Sequence, residues 1–461
     1  MGNVRVEEIT KDATEIVREQ LESGKIIEGH MINVAEFRRI LKLTLLDKGK
    51  ENIIQAIKQL EARDDVICAQ PSYHGSIDAT YPNEYYSLSF PDKWAIDKIG
   101  LPNAWDKATG SSYVIVAVAD TGIYSVHPEL TNRISTIPSV AYIGTNPLDD
   151  VNGHGTHVAG IIGAQANNGG MVGVAWDVRF VSLKVFDDNG NGGANYTANL
   201  TSAVTYSATK GINIINHSGG GYGGSNSTFE LALRNYSGLF VCSSGNNAVS
   251  TDINYFFPSS ISASNLISVG ATAYNSDGPA TAVDWGHPVG SAVGSNFGKK
   301  TVDIFAPGTA IYSSVPYNIS SSGYASWQGT SMATPYVTGV AALMRSKVGF
   351  DASTMKKIIL GTADKTATSL NNMCVSGGRL DANNALNKVN YWISCHVGCS
   401  TQQQTCFNEY YPACQSDCEQ QAMEMCPNNP SACWNWLISC AQNCEYNCTI
   451  PYNMCVNNCS N

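Results

Sequence analysis

The sequence predicts an α/β fold with a mainly parallel sheet and helices on both faces, preceded by a small α+β unit and followed by a Cys-rich helical tail. Strand-like apolar runs alternate with helical runs across the middle of the chain, which is typical of parallel sheets with crossover helices. Hydrophobic residues make up 43% of the chain and charged residues only 14%, which favours a large core. Polar residues directly follow several strands, where sheets of this kind bind ligands.

Composition divides the 461 residues into three regions. We predict domains over residues 1–73, 74–390 and 391–461. In the first domain, RRILKLTLL and DVICAQ have strand character, and the apolar residues of KGKENIIQAIKQLEARDD between them follow helical spacing.

The middle domain is expected to alternate strands and helices along the chain. The order is strand YVIVAVAD, helix HGTHVAGIIGA, strand VRFVSLKVF, helix ANLTSAVTYSATKG, strand INIINHS, helix LALRNYSG, strands FVCSSGN and NLISVGA, and helix SMATPYVTGVAALMRSKV.

Charge and composition exclude several classes of function. The net charge of −10 argues against a nucleic-acid partner, and no apolar run is long enough for a membrane span. Of the 15 cysteines, 12 fall between Cys395 and Cys459, a density that indicates an oxidising compartment. We therefore expect a secreted or endomembrane-lumen protein, although the start MGNVRVEEIT lacks the apolar middle of a signal peptide.

Three polar residues lie at the ends of predicted elements. Asp120 ends a buried strand, His154 opens a helix between two glycines, and Ser331 begins another helix in QGTSMATP. Taken singly, Asp120 could cap a turn and Ser331 could be a helix N-cap. Together they supply a hydroxyl nucleophile, its base and the carboxylate that orients the base.

The segments VAVADTGI, GHGTHVAG and GTSMATP occur in the order Asp, His, Ser. This chain resembles the subtilisin-like serine proteases, the subtilases, from about Trp94 to GGRLDANNAL. The resemblance implies a serine endopeptidase that hydrolyses peptide bonds in protein or peptide substrates through Asp120, His154 and Ser331, with no cofactor for the chemistry.

The same resemblance implies further site residues. Asn246, in SSGNN, would hold the oxyanion together with the backbone N–H of Ser331. Ser218, Gly219 and Gly220 would pair with the extended substrate backbone. A last substrate-binding residue is Phe256, which falls near the floor of the primary specificity pocket, where its bulky ring would make the pocket shallow.

His157 lies three residues after His154, so the pair could also bind a metal. A zinc site would require a third ligand and usually a Glu within the motif, but Gly155 and Thr156 occupy that interval. We therefore expect His157 to pack within its helix.

A structural calcium ion is also implied by the resemblance, because AQANNGGMVGVA is similar to the calcium loop of the family. Lys93 departs from the pattern, since many relatives have a Gln ligand at that place. The implied ligands are Glu129, Gln165, Asn167, Gly169 and Met171.

The first domain resembles an inhibitory propeptide from about Arg38 to Tyr73, ending in QLEARDDVICAQPSY. It would act as an intramolecular inhibitor that the protease removes by cutting itself between about Tyr73 and Tyr86. The alternative is an unrelated α+β domain.

The tail pairs many cysteines at i and i+4, a spacing that places them on one helical face. We predict six disulfides within residues 395–459, with zinc clusters as the alternative. Two other functions stay open: a catalytically silent binding protein on the same fold, and a protease whose tail is a docking module.

Overall fold

The computed structural model describes residues 4–8, 41–45, 56–60, 81–274 and 278–405. The chain forms two units, residues 1–78 and 79–461. In the first unit, β1 (Val4–Glu8) pairs antiparallel with β2 (Leu41–Leu45), and residues 56–60 are helical. The strand and the helix lie within RRILKLTLL and KGKENIIQAIKQLEARDD, while DVICAQ is outside the described residues.

The second unit carries the remaining elements. Its strands are β3 (Ile115–Asp120), β4 (Val140–Ala141), β5 (Arg179–Lys184), β6 (Ile214–His217), β7 (Gly221–Tyr222), β8 (Leu239–Ser243), β9 (Phe256–Phe257), β10 (Leu266–Thr272), β11 (Ile304–Pro307), β12 (Ile311–Ser314) and β13 (Tyr324–Trp327). Its helices are α1 (Asn83–Ser87), α2 (Phe90–Lys98), α3 (Leu101–Trp105), α4 (His154–Gly163), α5 (Tyr196–Thr209), α6 (Ser227–Asn235), α7 (Thr330–Lys347), α8 (Ala352–Gly361) and α9 (Ala382–Thr405).

Seven of these strands form one sheet in the order β11-β10-β8-β6-β3-β5-β4, and every neighbouring pair is parallel. The predicted α/β class with a mainly parallel sheet is therefore confirmed. Strand β6 is the middle strand and lies between β3 and β8, so the carboxyl ends of these three parallel strands meet at one edge of the sheet.

Alternate residues of β3 face opposite layers, as the two-residue period of a strand requires. Val116 and Val118 belong to the core cluster that includes α4 and α7. Ala117 and Ala119 belong to the cluster that includes α5 and α6. Helices thus cover both faces, as the sequence predicted.

Helix α9 runs through the predicted domain boundary at residue 390 without a break. It packs against α3 and α7, and Trp392 contacts Phe350 with ring centroids 4.9 Å apart. The backbone of Cys395 and Cys399 lies on this helix, whereas the predicted disulfides beyond Cys399 fall outside the described residues. None of the helices in the described part of the chain is long and apolar enough to cross a membrane.

Candidate active site

Asp120 and His154 meet at the carboxyl end of β3. Asp120 is the last residue of that strand and His154 is the first residue of α4. The Nδ1 atom of His154 lies 2.7 Å from Oδ1 of Asp120, which also accepts the backbone N–H of Thr121 at 2.7 Å. Asp120 is fully buried, whereas the side chain of His154 is 25% exposed. The imidazole is therefore anchored on one nitrogen while part of its ring faces solvent.

The pKa of His154 reflects two opposing causes. Burial lowers it, but the charge and hydrogen bond of Asp120, with a contribution from the charge of Asp150, outweigh burial and raise the pKa above the ordinary 6.5. A base that must hold a proton during a reaction is helped by this stabilisation of the imidazolium.

Asp150 is a buried residue of this site that the sequence reasoning missed. Its Oδ1 accepts hydrogen bonds from Thr121 Oγ1 at 2.8 Å and Gly153 N at 2.9 Å. Its Oδ2 accepts from Thr156 N at 2.9 Å and Thr156 Oγ1 at 2.6 Å. Burial raises the pKa of Asp150, while these four donors act in the opposite direction. The available signal was an acid three residues before the helix N-cap, Gly153.

Gly155 is required for the close approach of α4 to the end of β3. A β-carbon at this position would lie 2.0 Å from the carbonyl oxygen of Gly122 and 3.1 Å from Cβ of Asp120. Any side chain would therefore push His154 away from Asp120.

Ser331 is the second residue of α7, whose N-cap is Gly329, so the N-cap interpretation of Ser331 does not apply. Its N–H belongs to the first helical turn, where backbone donors have no partner within the helix. Its Oγ donates to the carbonyl of Ser218 at 3.1 Å, and Ser218 Oγ donates to the carbonyl of Ser331 at 2.9 Å.

Ser218 directly follows β6, which is paired with β3. Helices α4 and α7 also pack against each other. The fold thus brings Asp120 and His154 into direct contact and places Ser331 at the same edge of the sheet, with its hydroxyl turned to Ser218.

Asn246 follows β8, the next strand along this edge. Its Oδ1 accepts hydrogen bonds from Thr330 N at 2.9 Å and Thr330 Oγ1 at 2.8 Å, and Thr330 precedes Ser331 in the chain. The residue is exposed. With its oxygen engaged, the amide nitrogen is the end of this side chain that remains for a ligand.

Phe256 lies against the two glycine-containing segments that follow β6 and β8. A β-carbon at Gly220 would lie 2.4 Å from Cε1 of Phe256, and one at Gly245 would lie 2.9 Å from its Cε2. Tyr222 packs edge-on against the ring at 5.1 Å, and Phe256 is 7% exposed. The ring therefore occupies the space between these segments. Gly219, the other glycine predicted to bind the substrate backbone, lies against the ring of Phe186.

His157 packs inside the protein, as expected. Its ring stacks on Trp327 with centroids 4.6 Å apart, and its Nε2 lies 3.1 Å from the carbonyl oxygen of Ala325. Burial lowers the pKa of His157 to about 3. Among the described residues, no group of three or more His, Cys, Asp or Glu could hold a metal.

The predicted calcium loop surrounds the fully buried Glu129. Its Oε1 accepts hydrogen bonds from Met171 N at 3.0 Å and Tyr324 OH at 2.7 Å, and its Oε2 accepts from Asn168 Nδ2 at 2.9 Å. Gln165 donates its side-chain N–H to the carbonyl of Pro128. Burial raises the pKa of Glu129, and the nearby charge of Glu84 adds to this effect.

Glu84 is a second carboxylate at this loop that the sequence reasoning missed. It is fully buried and accepts the backbone N–H groups of Asn167 at 2.9 Å, Asn168 at 2.7 Å and Gly169 at 2.7 Å. Lys93, the departure noted in the sequence, instead lies over the ring of Tyr85.

The chemistry of these groups fits calcium. The hydrogen bonds that the structure gives to the Glu84 and Glu129 carboxylates all come from uncharged donors within the described residues. Two buried acids with neutral partners favour a bound cation, and carboxylate and amide oxygens are the ligands that calcium prefers.

Comparisons with known proteins show which family this chain is similar to. The profile of the subtilase family matches residues 111–377. Thermitase from Thermoactinomyces vulgaris is 38% identical over 288 residues, which is 62% of this chain and 92% of that protein. A thermophilic serine proteinase from Bacillus sp. (strain AK1) is 34% identical over 328 residues, covering 70% of this chain and 73% of that protein. A solved protease structure from Pseudoalteromonas arctica superimposes with a TM-score of 0.54 at 25% identity, covering 67% of this chain and all of the other.

Proposed function

The chain belongs to the subtilase family and is a serine-type endopeptidase, and from this premise we propose that Asp120, His154 and Ser331 are its catalytic triad. The observation that carries the proposal is the 2.7 Å hydrogen bond between His154 Nδ1 and Asp120 Oδ1. It leaves Nε2 of His154 as the nitrogen that acts on a hydroxyl at the edge of the sheet where Ser331 lies.

In the proposed reaction, the Ser331 hydroxyl turns from the Ser218 carbonyl to His154 and attacks the peptide carbonyl carbon. Nε2 of His154 takes the hydroxyl proton, and the Asp120 carboxylate stabilises the imidazolium. The imidazolium then gives the proton to the leaving amine, which leaves an acyl group on Ser331. Water activated by His154 hydrolyses this ester and restores the enzyme.

We assign two hydrogen-bond donors to the oxyanion that develops during the reaction. The Nδ2 atom of Asn246 is available because Thr330 engages the amide oxygen. The N–H of Ser331 is available because it lies in the first turn of α7. Together they would stabilise charge that develops only in the transition state.

Ser218, Gly219 and Gly220 are proposed to hydrogen-bond the extended substrate backbone beside Ser331. Phe256 is proposed as the floor of the adjoining pocket. Since its ring lies against Gly220 and Gly245, the pocket would favour substrates with a small side chain on the acyl side of the cleaved bond.

Residues 1–73 are proposed to be an inhibitory propeptide that the enzyme removes between about Tyr73 and Tyr86. The antiparallel β1–β2 pair and the helical residues 56–60 support an α+β unit of this kind. The cysteine-rich region 391–461 is proposed as a disulfide-bonded tail of an exported protein. N-terminal sequencing of the purified active enzyme tests the processing, and an active enzyme that still begins at Met1 would contradict it.

Glu84, Glu129 and Asn167 are proposed as side-chain ligands of a structural calcium ion, with Gln165, Gly169 and Met171 contributing from the same loop. The ion would neutralise two buried charges and fix the loop to α1. It plays no part in the chemistry.

The triad is tested by Ser331→Ala, with Ser346→Ala as the matched control on the same helix. Ser346 donates its hydroxyl to the carbonyl of Leu343 and is remote from the site along α7. We expect Ser331→Ala to lower kcat by about 10⁶-fold, the size of loss found for the nucleophile of subtilisin, and to abolish labelling by an organophosphorus probe. Ser346→Ala should keep both. Hydrolysis that persists in Ser331→Ala would overturn the triad and leave the calcium and propeptide proposals standing.

A further inference from the structure

Asn296 is a fully buried polar residue beside the turn that carries Asn246. We call residues 244–249 the oxyanion turn. It follows β8 and contains two residues with left-handed backbone, Gly245 at φ 98° and Ala248 at φ 55°. The turn lies outside the named helices and strands and makes an isolated backbone bridge between Asn247 and Gly294, so its remaining backbone groups need other partners.

The side chain of Asn296 makes hydrogen bonds on both sides of Asn246. Its Oδ1 accepts the backbone N–H groups of Asn247 at 3.0 Å and Val249 at 3.2 Å. Its Nδ2 donates to the carbonyl of Ser244 at 2.8 Å and to the hydroxyl of Tyr222 at 3.2 Å. One amide thus satisfies two donors and one acceptor of the oxyanion turn.

The backbone of Asn296 binds the same turn. Its N–H donates to the carbonyl of Gly245 at 2.9 Å, and its carbonyl accepts the hydroxyl of Ser244 at 3.2 Å. The neighbouring Gly294 donates its N–H to the carbonyl of Asn246 at 3.2 Å. The backbone of the turn is therefore fixed from residue 244 to residue 249. The hydrogen bonds that the described residues make to the side chain of Asn246 come from Thr330 and go to its oxygen.

We infer that Asn296 is a positioning residue for catalysis, which fixes the oxyanion turn so that Nδ2 of Asn246 lies where the oxyanion forms. This inference rests on the proposed oxyanion role of Asn246. A preorganised donor is worth about 10²–10³-fold in kcat, and a displacement of about 1 Å can remove about 10²-fold. Asn296 touches no reacting atom and acts through Asn246 alone.

Asn265 provides a matched control, since it is another buried asparagine with several side-chain hydrogen bonds. Its Nδ2 donates to the carbonyls of Leu233 and Tyr236 at 2.8 Å each. Its backbone carbonyl binds Phe240, near the amino end of β8 and so at the opposite end of that strand from Asn246. Asn265→Ala should lower the melting temperature and leave kcat per active site unchanged.

The test is a double-mutant cycle on the full chain after self-processing, with the N-terminus of each variant checked by mass spectrometry and active sites counted by titration. Asn246→Ala should lower kcat by about 10²–10³-fold. Asn296→Ala should lower kcat by about 10- to 100-fold with KM nearly unchanged. The double variant should be no slower than Asn246→Ala, because the positioned group is already gone.

A loss that is the same in both backgrounds, or the absence of a loss in Asn296→Ala, would overturn the positioning role. If Asn246→Ala itself keeps full kcat, the oxyanion role of Asn246 fails and this inference fails with it, while the Ser331 test of the triad is unaffected. If Asn296→Ala does not fold, the same cycle is run with Asn296→Ser. The serine hydroxyl keeps the site polar and uncharged but is too short to bind Asn247, Val249 and Ser244 together, and the same criteria apply.

Discussion

Two turns at the active edge of the sheet, residues 150–156 and 244–249, are held in similar ways by different chemistry. A fully buried side chain fixes each turn by hydrogen bonds to its backbone. Asp150 accepts the backbone N–H groups of Gly153 and Thr156, and Asn296 accepts those of Asn247 and Val249. The first is an acid and the second is a neutral amide.

This difference matches the charge that would develop beside each turn. His154 becomes positive when it accepts a proton, and the charge of Asp150 favours that state. Asn246 faces a negative oxygen in the proposed reaction, which a nearby carboxylate would destabilise. The comparison teaches that each support fixes its turn by accepting backbone N–H groups, but that the two differ in charge and in the hydrogen bond that Asn296 alone of the two donates, to Ser244.

Of the substitutions that test the comparison between the two turns, the one with the largest expected effect on kcat is on the histidine side. Asp120→Asn should lower kcat by about 10⁴-fold, the magnitude known for the orienting carboxylate of serine protease triads. An amide that donates to Nδ1 stabilises the wrong tautomer of His154 and no longer favours the imidazolium. Steady-state kinetics with a peptide substrate measure this.

The pH dependence gives an independent check. Because the pKa of His154 lies above 6.5, kcat/KM of the unsubstituted enzyme should fall as the pH drops through a value above 6.5. Loss of the Asp120 charge should move this fall to lower pH. A fall at unchanged pH in Asp120→Asn would contradict the assignment of the titrating group.

A smaller effect is expected on the oxyanion side, where the supporting residue, Asn296, is neutral. A substitution there should change the selectivity between substrates and leave the pH dependence of kcat/KM unchanged. Phe256→Ala removes the ring that lies against Gly220 and Gly245. The ratio of kcat/KM for a Leu substrate to that for an Ala substrate should rise by about 10- to 200-fold, with the pH profile unchanged. A parallel series of peptides that differ only in the acyl-side residue measures this ratio, and an unchanged ratio would remove Phe256 from the pocket.

Asp150→Asn sharpens the comparison directly, because it converts the charged support into a neutral one. The new Nδ2 would face the N–H of Thr156, which leaves a buried donor unsatisfied and costs about 1–3 kcal/mol of stability. The fall of kcat/KM at low pH should move to lower pH, since a charge that raises the pKa of His154 is lost. Thermal melts and pH profiles test the two parts separately. A shift in stability without a shift in the profile would show that Asp150 acts only as a scaffold.

Calcium removal should disturb neither turn. Of these changes, it should have the smallest effect on kcat. A ligand at about 100 times its Kd adds about 2.7 kcal/mol, so chelation by EDTA should lower the melting temperature by about 5 °C or more. Glu129→Gln should lose this response, with kcat per active site and the pH profile preserved in calcium. A melting temperature that is insensitive to both EDTA and calcium would remove the ion from the proposal.

Local pattern predicted that Asp120 ends a strand and that His154 opens a helix, and both residues lie there in the structure, because the periodicity of each element is visible in the sequence. Asn296 and Glu84 could not be found in this way. Asn296 is separated from Asn246 by 50 positions, and Glu84 from Asn167 by 83. Only folding brings these partners together, and neither residue stands out locally.

The predicted domain boundary near residue 390 shows another limit of prediction from the sequence. The change in composition there is real, but α9 continues through it because Trp392 still has a core residue, Phe350, to pack against. Composition reports where the chemistry of the chain changes, whereas packing decides where an element ends.

The course of α9 also determines how far the chain is carried from the contact of Trp392 with Phe350. A helix rises about 1.5 Å per residue, so the stretch from Trp392 to Thr405 extends about 20 Å. A helix of this length is a stiff spacer, unlike a flexible linker, which samples a wide volume, so the backbone of Thr405 is held at a set distance from that of Trp392.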